Sequence, residues 1–158
     1  MTTMTETVTT QVYRVYIKAT PQAIWDAITK PEWTEKYGYG GRVEYDLRPG
    51  GIYRALTSPA MRSMGAPEVA VDGEVIEADP PRKLVHGWQS LYDPELAAEE
   101  TSRVTWEIEP QDDGVTKLTL VHDQLEGAPK TAESVAGGWM FVLSGLKTLL
   151  ETGEPLGG

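Results

Sequence analysis

The 158 residues contain no cysteine, no asparagine, one phenylalanine and two histidines. Without cysteine there can be no disulfide, no thiolate nucleophile and no cysteine-built zinc site, so a small secreted fold stapled by bridges is excluded. Without asparagine there is no N-glycosylation sequon. Positive charge is also scarce: 14 Lys and Arg stand against 24 Asp and Glu, a formal net charge of −10. The basic residues are scattered, so a nucleic-acid backbone finds no matching surface, and an uncharged or cationic small molecule is the easier partner. No stretch approaches the roughly 18 consecutive apolar residues that a membrane span needs. Residues 1–10 have neither the basic cluster nor the apolar run of a leader. The expectation is a cytoplasmic protein with a disordered tail over 1–10, a single domain over 11–152 and a short tail over 153–158.

The chain is organised around residues 131–151. Val135, Trp139, Val142, Leu146 and Leu149 fall on one face at helical spacing, and Leu143 and Leu150 widen the stripe. Such a helix would run roughly 30 Å, enough to cross a whole sheet. Gly137, Gly138 and Gly145 each cost about 1 kcal/mol inside it, which points to close backbone approach, a bend, or a helix that begins only near Trp139.

Before this helix the period is mostly two. Residues 12–18 alternate Tyr13, Val15 and Ile17 with Arg14, Tyr16 and Lys18, a half-buried strand. Thr20 and Pro21 then form a cap-and-start signal for a short helix, and a second runs from Pro31 to about Tyr37, where glycines break it. Further strands are expected at about 42–46, 52–57, 69–78, 83–89, 103–109 and 115–123, with loops at 58–68 and 90–100. In the second of these, Arg54 is read as pointing outward and Tyr53 inward, because an unpaired inward cation costs several kcal/mol. The acidic residues of the 90–100 loop, Asp93, Glu95, Glu99 and Glu100, read as a solvated surface. The inferred fold is α+β: a strongly curved antiparallel sheet of six or seven strands, two short helices after the first strand, and a long C-terminal helix across the sheet.

Several segments carry a family likeness: 20–31 (TPQAIWDAITKP), 48–51 (RPGG), 73–85 (GEVIEADPPRKLV), 102–110 (SRVTWEIEP), and Gly138-Trp139 in the last helix. In this order they resemble the helix-grip domains of the START-like, or SRPBCC, superfamily. Within it they look like the branch named after the activator of the ninety-kilodalton heat-shock-protein ATPase. The resemblance implies the helix-grip fold, a bacterial single-domain member with a link to stress response, and a cavity between sheet and helix. The superfamily includes lipid and sterol carriers, hormone receptors and polyketide cyclases. The matching segments are turns and core positions, so they carry over no site residue.

There is no nucleophile elbow, no phosphate loop and no histidine pair at helical metal spacing, which favours binding over catalysis. No cofactor and no metal are expected. The candidate cavity residues are His86, Trp88, Trp106, His122, Trp139, Leu143, Met61 and Met64. Each histidine reads either as a satisfied core residue or as a polar anchor for a ligand carbonyl or hydroxyl. In a meander the two lie two strands apart, about 9 to 10 Å, too far to share one zinc. The tryptophans read as core or as a wall that stacks on rings, and Met61 and Met64 as filler or as an apolar lid. Three functions follow: a binder of a small hydrophobic molecule such as a lipid or polyketide, a cyclase-like enzyme using a cavity His or Tyr, or an interaction module with a chaperone or homodimer partner.

Overall fold

The computed structural model describes residues 9–156. Most of the tail expected over 1–10, and the last two residues of the chain, lie outside them. β1 (Gln11–Ile17) leads to α1 (Pro21–Thr29) and α2 (Pro31–Thr34), then β2 (Val43–Tyr45) and β3 (Ile52–Leu56). α3 (Pro59–Ser63) precedes β4 (Val69–Asp79) and β5 (Lys83–Ser90); α4 (Pro94–Ala97) precedes β6 (Ser102–Pro110) and β7 (Thr116–Asp123); α5 (Pro129–Thr152) closes the chain. The seven strands form one antiparallel sheet in the order β1-β7-β6-β5-β4-β3-β2. This is the helix-grip architecture: a meander from β2 to β7, with β1 added at the β7 edge.

Alternation decides the inner face. Val104, Trp106 and Ile108 of β6 are buried, as are Leu118, Leu120 and His122 of β7, and Tyr13, Val15 and Ile17 of β1 pack on the same side. Tyr53 of β3 turns in, while Arg54 is exposed and pairs with Glu44 at 3.9 Å. Register shifts between Ala55 and Leu56 and between Val75 and Glu77 mark bulges, which add twist and curl the sheet.

α5 is one uninterrupted helix, longer than the expected 131–151, and it does not wait for Trp139. Its glycines have separate reasons. A Cβ on Gly145 would lie 3.3 Å from the Gly38 backbone nitrogen and 3.4 Å from Tyr37 Cβ, so the helix passes tight against that loop; one on Gly137 would meet nothing. Gly38 itself has a φ of +61°, a conformation that suits glycine, and its α carbon faces Val142.

The N-terminus of α5 has no side-chain cap of its own. Glu99, from the segment after α4, supplies one: its carboxylate accepts from Lys130 N at 2.9 Å, Thr131 N at 2.8 Å and the Thr131 hydroxyl at 2.8 Å. Burial works against this carboxylate, but those hydrogen bonds outweigh it and hold its pKa below the ordinary value. The acidic segment is therefore a clamp as well as a surface. It also contains a short helix capped by Asp93, and the 58–68 segment contains one capped by Ser58; both were expected as plain loops. α2 stops at Thr34, short of the expected Tyr37, because the Thr34 hydroxyl turns to accept from Val43 N and ties the chain into β2. Further along, α5 is stitched to β1 and the residue that follows it by Gln11 Nε2 to Ala132 O, Tyr13 OH to Ala136 O, and Glu151 accepting from Lys18 N.

Candidate functional site

Between the curled sheet and α5 lies a cavity of about 600 Å³. Its wall takes Tyr45 from β2, Tyr53 from β3, Trp88 from β5, Trp106 from β6, and Trp139 and Val142 from α5, with Met61 of α3 at one side. Among the described residues, no charged side chain and no histidine lines it.

The rings form a continuous layer. Tyr45 and Tyr53 have centroids 4.8 Å apart, Trp88 and Trp139 5.1 Å, and Trp106 meets Trp139 edge to face at 5.6 Å. The first two pairs are tilted and the third is T-shaped, an arrangement that aromatic pairs favour over a face-to-face sandwich.

Behind this layer sit the two histidines, both fully buried. His86 pairs across the sheet with Val104, and Val104 with His122, so the two stand at one height on β5 and β7. Each holds a tryptophan: Trp106 Nε1 donates to His86 Nε2 at 3.2 Å, and Trp139 Nε1 donates to His122 Nδ1 at 3.0 Å. The tautomers follow from these acceptors. His86 carries its proton on Nδ1 and donates to Gly87 O at 2.8 Å; His122 carries it on Nε2 and donates to Ser102 Oγ at 2.7 Å. The third indole, Trp88, donates to Ser90 Oγ at 3.0 Å.

Both imidazoles are neutral at pH 7. Burial lowers the His86 pKa to about 4, partly opposed by its bond to the Gly87 carbonyl. Burial lowers His122 to about 4 as well, with His86 adding to the effect and Asp123 opposing it. The tyrosines move the other way: burial pushes Tyr37, Tyr45 and Tyr53 far above 10, so each stays protonated and acts as a donor.

Four of the eight candidates, Met61, Trp88, Trp106 and Trp139, line the cavity. His86, His122 and Leu143 are buried behind the wall, and Met64 points to solvent, 87% exposed. The sequence reading allowed a cavity Tyr without placing it; among the lining residues absent from its candidates are Tyr37, Tyr39, Tyr45, Tyr53 and Tyr92. Alternation with Arg54 marked Tyr53 as inward, and alternation with Glu44 offered the same signal for Tyr45. At the rim, Tyr92 OH and Ser134 Oγ are 2.6 Å apart, and Tyr39 packs on Phe141 at 5.3 Å. Among the described residues, no group of three or more His, Asp or Glu side chains is placed to hold a metal ion, and no helix is long and apolar enough to cross a membrane.

The family model described as "Activator of Hsp90 ATPase homolog 1-like protein" matches residues 18–151. No curated protein sequence matches significantly. Solved structures share the fold at low identity. An HSP90 activator from Plasmodium falciparum is 22% identical, with a TM-score of 0.69 over 90% of this chain and 96% of that one. The Aha1 dimer from Colwellia psychrerythraea is 18% identical, with a TM-score of 0.66 over 91% and 97%. DynU16, a putative protein in the dynemicin biosynthetic locus, is 20% identical, with a TM-score of 0.71 over 93% of this chain and 49% of that one.

Proposed function

The chain belongs to the Activator of Hsp90 ATPase homolog 1-like family, and we propose that it binds a small, uncharged, mainly apolar molecule in the cavity between sheet and α5. One observation carries this reading: a cavity of about 600 Å³, within the usual range for ligand sites, has a mainly aromatic and aliphatic wall with a few hydroxyls and, among the described residues, no charged side chain. A charged ligand would lie there unpaired, at a cost of several kcal/mol. The wall also favours binding over acid/base turnover. Its tyrosines are held protonated, and the nearby histidines are neutral, turned away and committed to tryptophans.

The experiment is native mass spectrometry of the gently purified protein, followed by solvent extraction and identification of what is released. The expected result is a stoichiometric neutral compound, retained by the wild type and lost in Ala70→Phe, which fills the cavity from β4. A clean ligand-free mass that persists after incubation with neutral ring compounds and lipids would sink the reading.

A second reading, contact with a chaperone, is favoured by an exposed apolar strip beside the cavity mouth: Tyr39 is 56% exposed, Met140 60% and Phe141 46%. The HSP90 activator among the structural relatives supports it. Capture of the cognate chaperone by the wild type but not by Phe141→Ser would establish it; no capture by either would remove it.

A further inference from the structure

We propose that the ligand is a flat ring system with one uncharged oxygen acceptor, and that this oxygen takes a hydrogen bond from the Tyr53 hydroxyl in the cavity wall. This rests on the reading of the cavity as a binding site and names the chemistry that the site selects.

Several hydroxyls of the cavity lining are already spent. Tyr37 OH donates to Ala27 O at 2.7 Å, Thr57 Oγ1 to Pro67 O at 2.6 Å, and Thr34 Oγ1 to Pro31 O at 3.3 Å. Tyr45 OH leans towards His86 Nε2 at 3.4 Å, an atom that already accepts from Trp106. Tyr53 differs. Its residue is 5% exposed, and its hydroxyl makes no hydrogen bond with any described residue. Among the described residues, every side-chain oxygen and nitrogen that is shut off from open space has a partner. The Tyr53 hydroxyl is thus an unpaired donor opening on the cavity it lines. A ligand that displaces water from this hydroxyl without offering an acceptor leaves the donor unpaired, so a ligand that brings an acceptor to it is favoured over one that does not.

The rest of the wall specifies the ring. Trp106 and Trp139 have their N–H groups drawn back to the histidines, and Trp88 has its own on Ser90. What these three indoles present to the cavity is carbon and π surface, which rewards a flat aromatic body; of the other lining hydroxyls, Ser58 Oγ accepts from Met61 N and Tyr39 stands 56% exposed at the rim. Tyr53 is itself held in place by its ring, 4.1 Å from the His86 ring and 4.8 Å from Tyr45. Its hydroxyl is therefore aimed before the ligand arrives, which spares the ordering cost of binding.

The test compares two probes of nearly identical shape, fluorene and 9-fluorenone, which differ by one carbonyl oxygen. Calorimetric titration of the wild type should show both binding, with fluorenone tighter by about fivefold, the worth of one neutral hydrogen bond. Tyr53→Phe keeps the ring; it should bring fluorenone down to the affinity of fluorene and leave fluorene unchanged. A second readout needs no variant: the infrared carbonyl band of bound fluorenone should lie at lower frequency than in an alkane solvent. Equal affinities in the wild type, or an unshifted carbonyl band, would overturn the proposal while leaving the cavity reading intact. Failure of both probes to bind would overturn both.

Discussion

Acid should loosen this protein well before its carboxylates protonate, and the two histidines set the size of the effect. In the unfolded chain each imidazole takes up a proton near pH 6.5; in the folded protein each resists until about pH 4. Between those values the unfolded state binds more protons, so stability present above pH 6.5 is lost as pH falls towards 4. From pH 7 to pH 5 the loss is about 2 kcal/mol per histidine, or about 4 kcal/mol for the pair, a large part of the stability of an ordinary domain. Glu99 and Glu151, whose pKa values lie below the ordinary 4.5, act lower on the scale and leave this interval nearly clean. Urea unfolding at pH 7 and pH 5 measures the difference directly, and the melting temperature should drop by roughly 10 °C over the same step. His86→Gln and His122→Gln should each remove about half of the pH dependence, whatever they do to stability at pH 7. A wild-type unfolding free energy that changes by less than about 1 kcal/mol between the two pH values would refute the reasoning, because the imidazoles would then not be buried as neutral acceptors.

Two further predictions concern α5. Glu99→Ala removes the cap on its first turn and should cost about 1 kcal/mol in urea unfolding, without affecting binding of a cavity probe. Gly137→Ala, where an added methyl meets nothing, should stabilise the protein by up to about 1 kcal/mol. Gly145→Ala should forfeit that gain against the Tyr37-Gly38 loop, and paired thermal melts of the two variants would decide the matter.

Much of the fold was legible because it is carried by local period. The alternation of Val104, Trp106 and Ile108, and the stripe from Val135 to Leu149, state which side is inward without reference to the rest of the chain. Depth is not local. The same alternation placed His86 with Trp88 and His122 with Leu120, but could not say that the imidazoles lie behind the tryptophans and hold their N–H groups. Glu99 was illegible for a similar reason: nothing near it in sequence shows that its loop returns to the start of a helix some thirty residues later. The short helices do have a local signal, since Ser58-Pro59 and Asp93-Pro94 repeat the cap-then-proline pattern of Thr20-Pro21. β2, three residues long and preceded by Gly38, Gly40 and Gly41, offered only the single alternation of Glu44 with Tyr45, too short a run to promote Tyr45 into the site.

The wall of tied-back tryptophans makes the molecule its own optical gauge. Three of its five indoles border the cavity, and each is fixed by a bond on the side away from it. Their emission therefore answers to what occupies the cavity rather than to rotation of the rings. Filling, emptying or flooding it with water should each leave a distinct colour and intensity, with no dye attached.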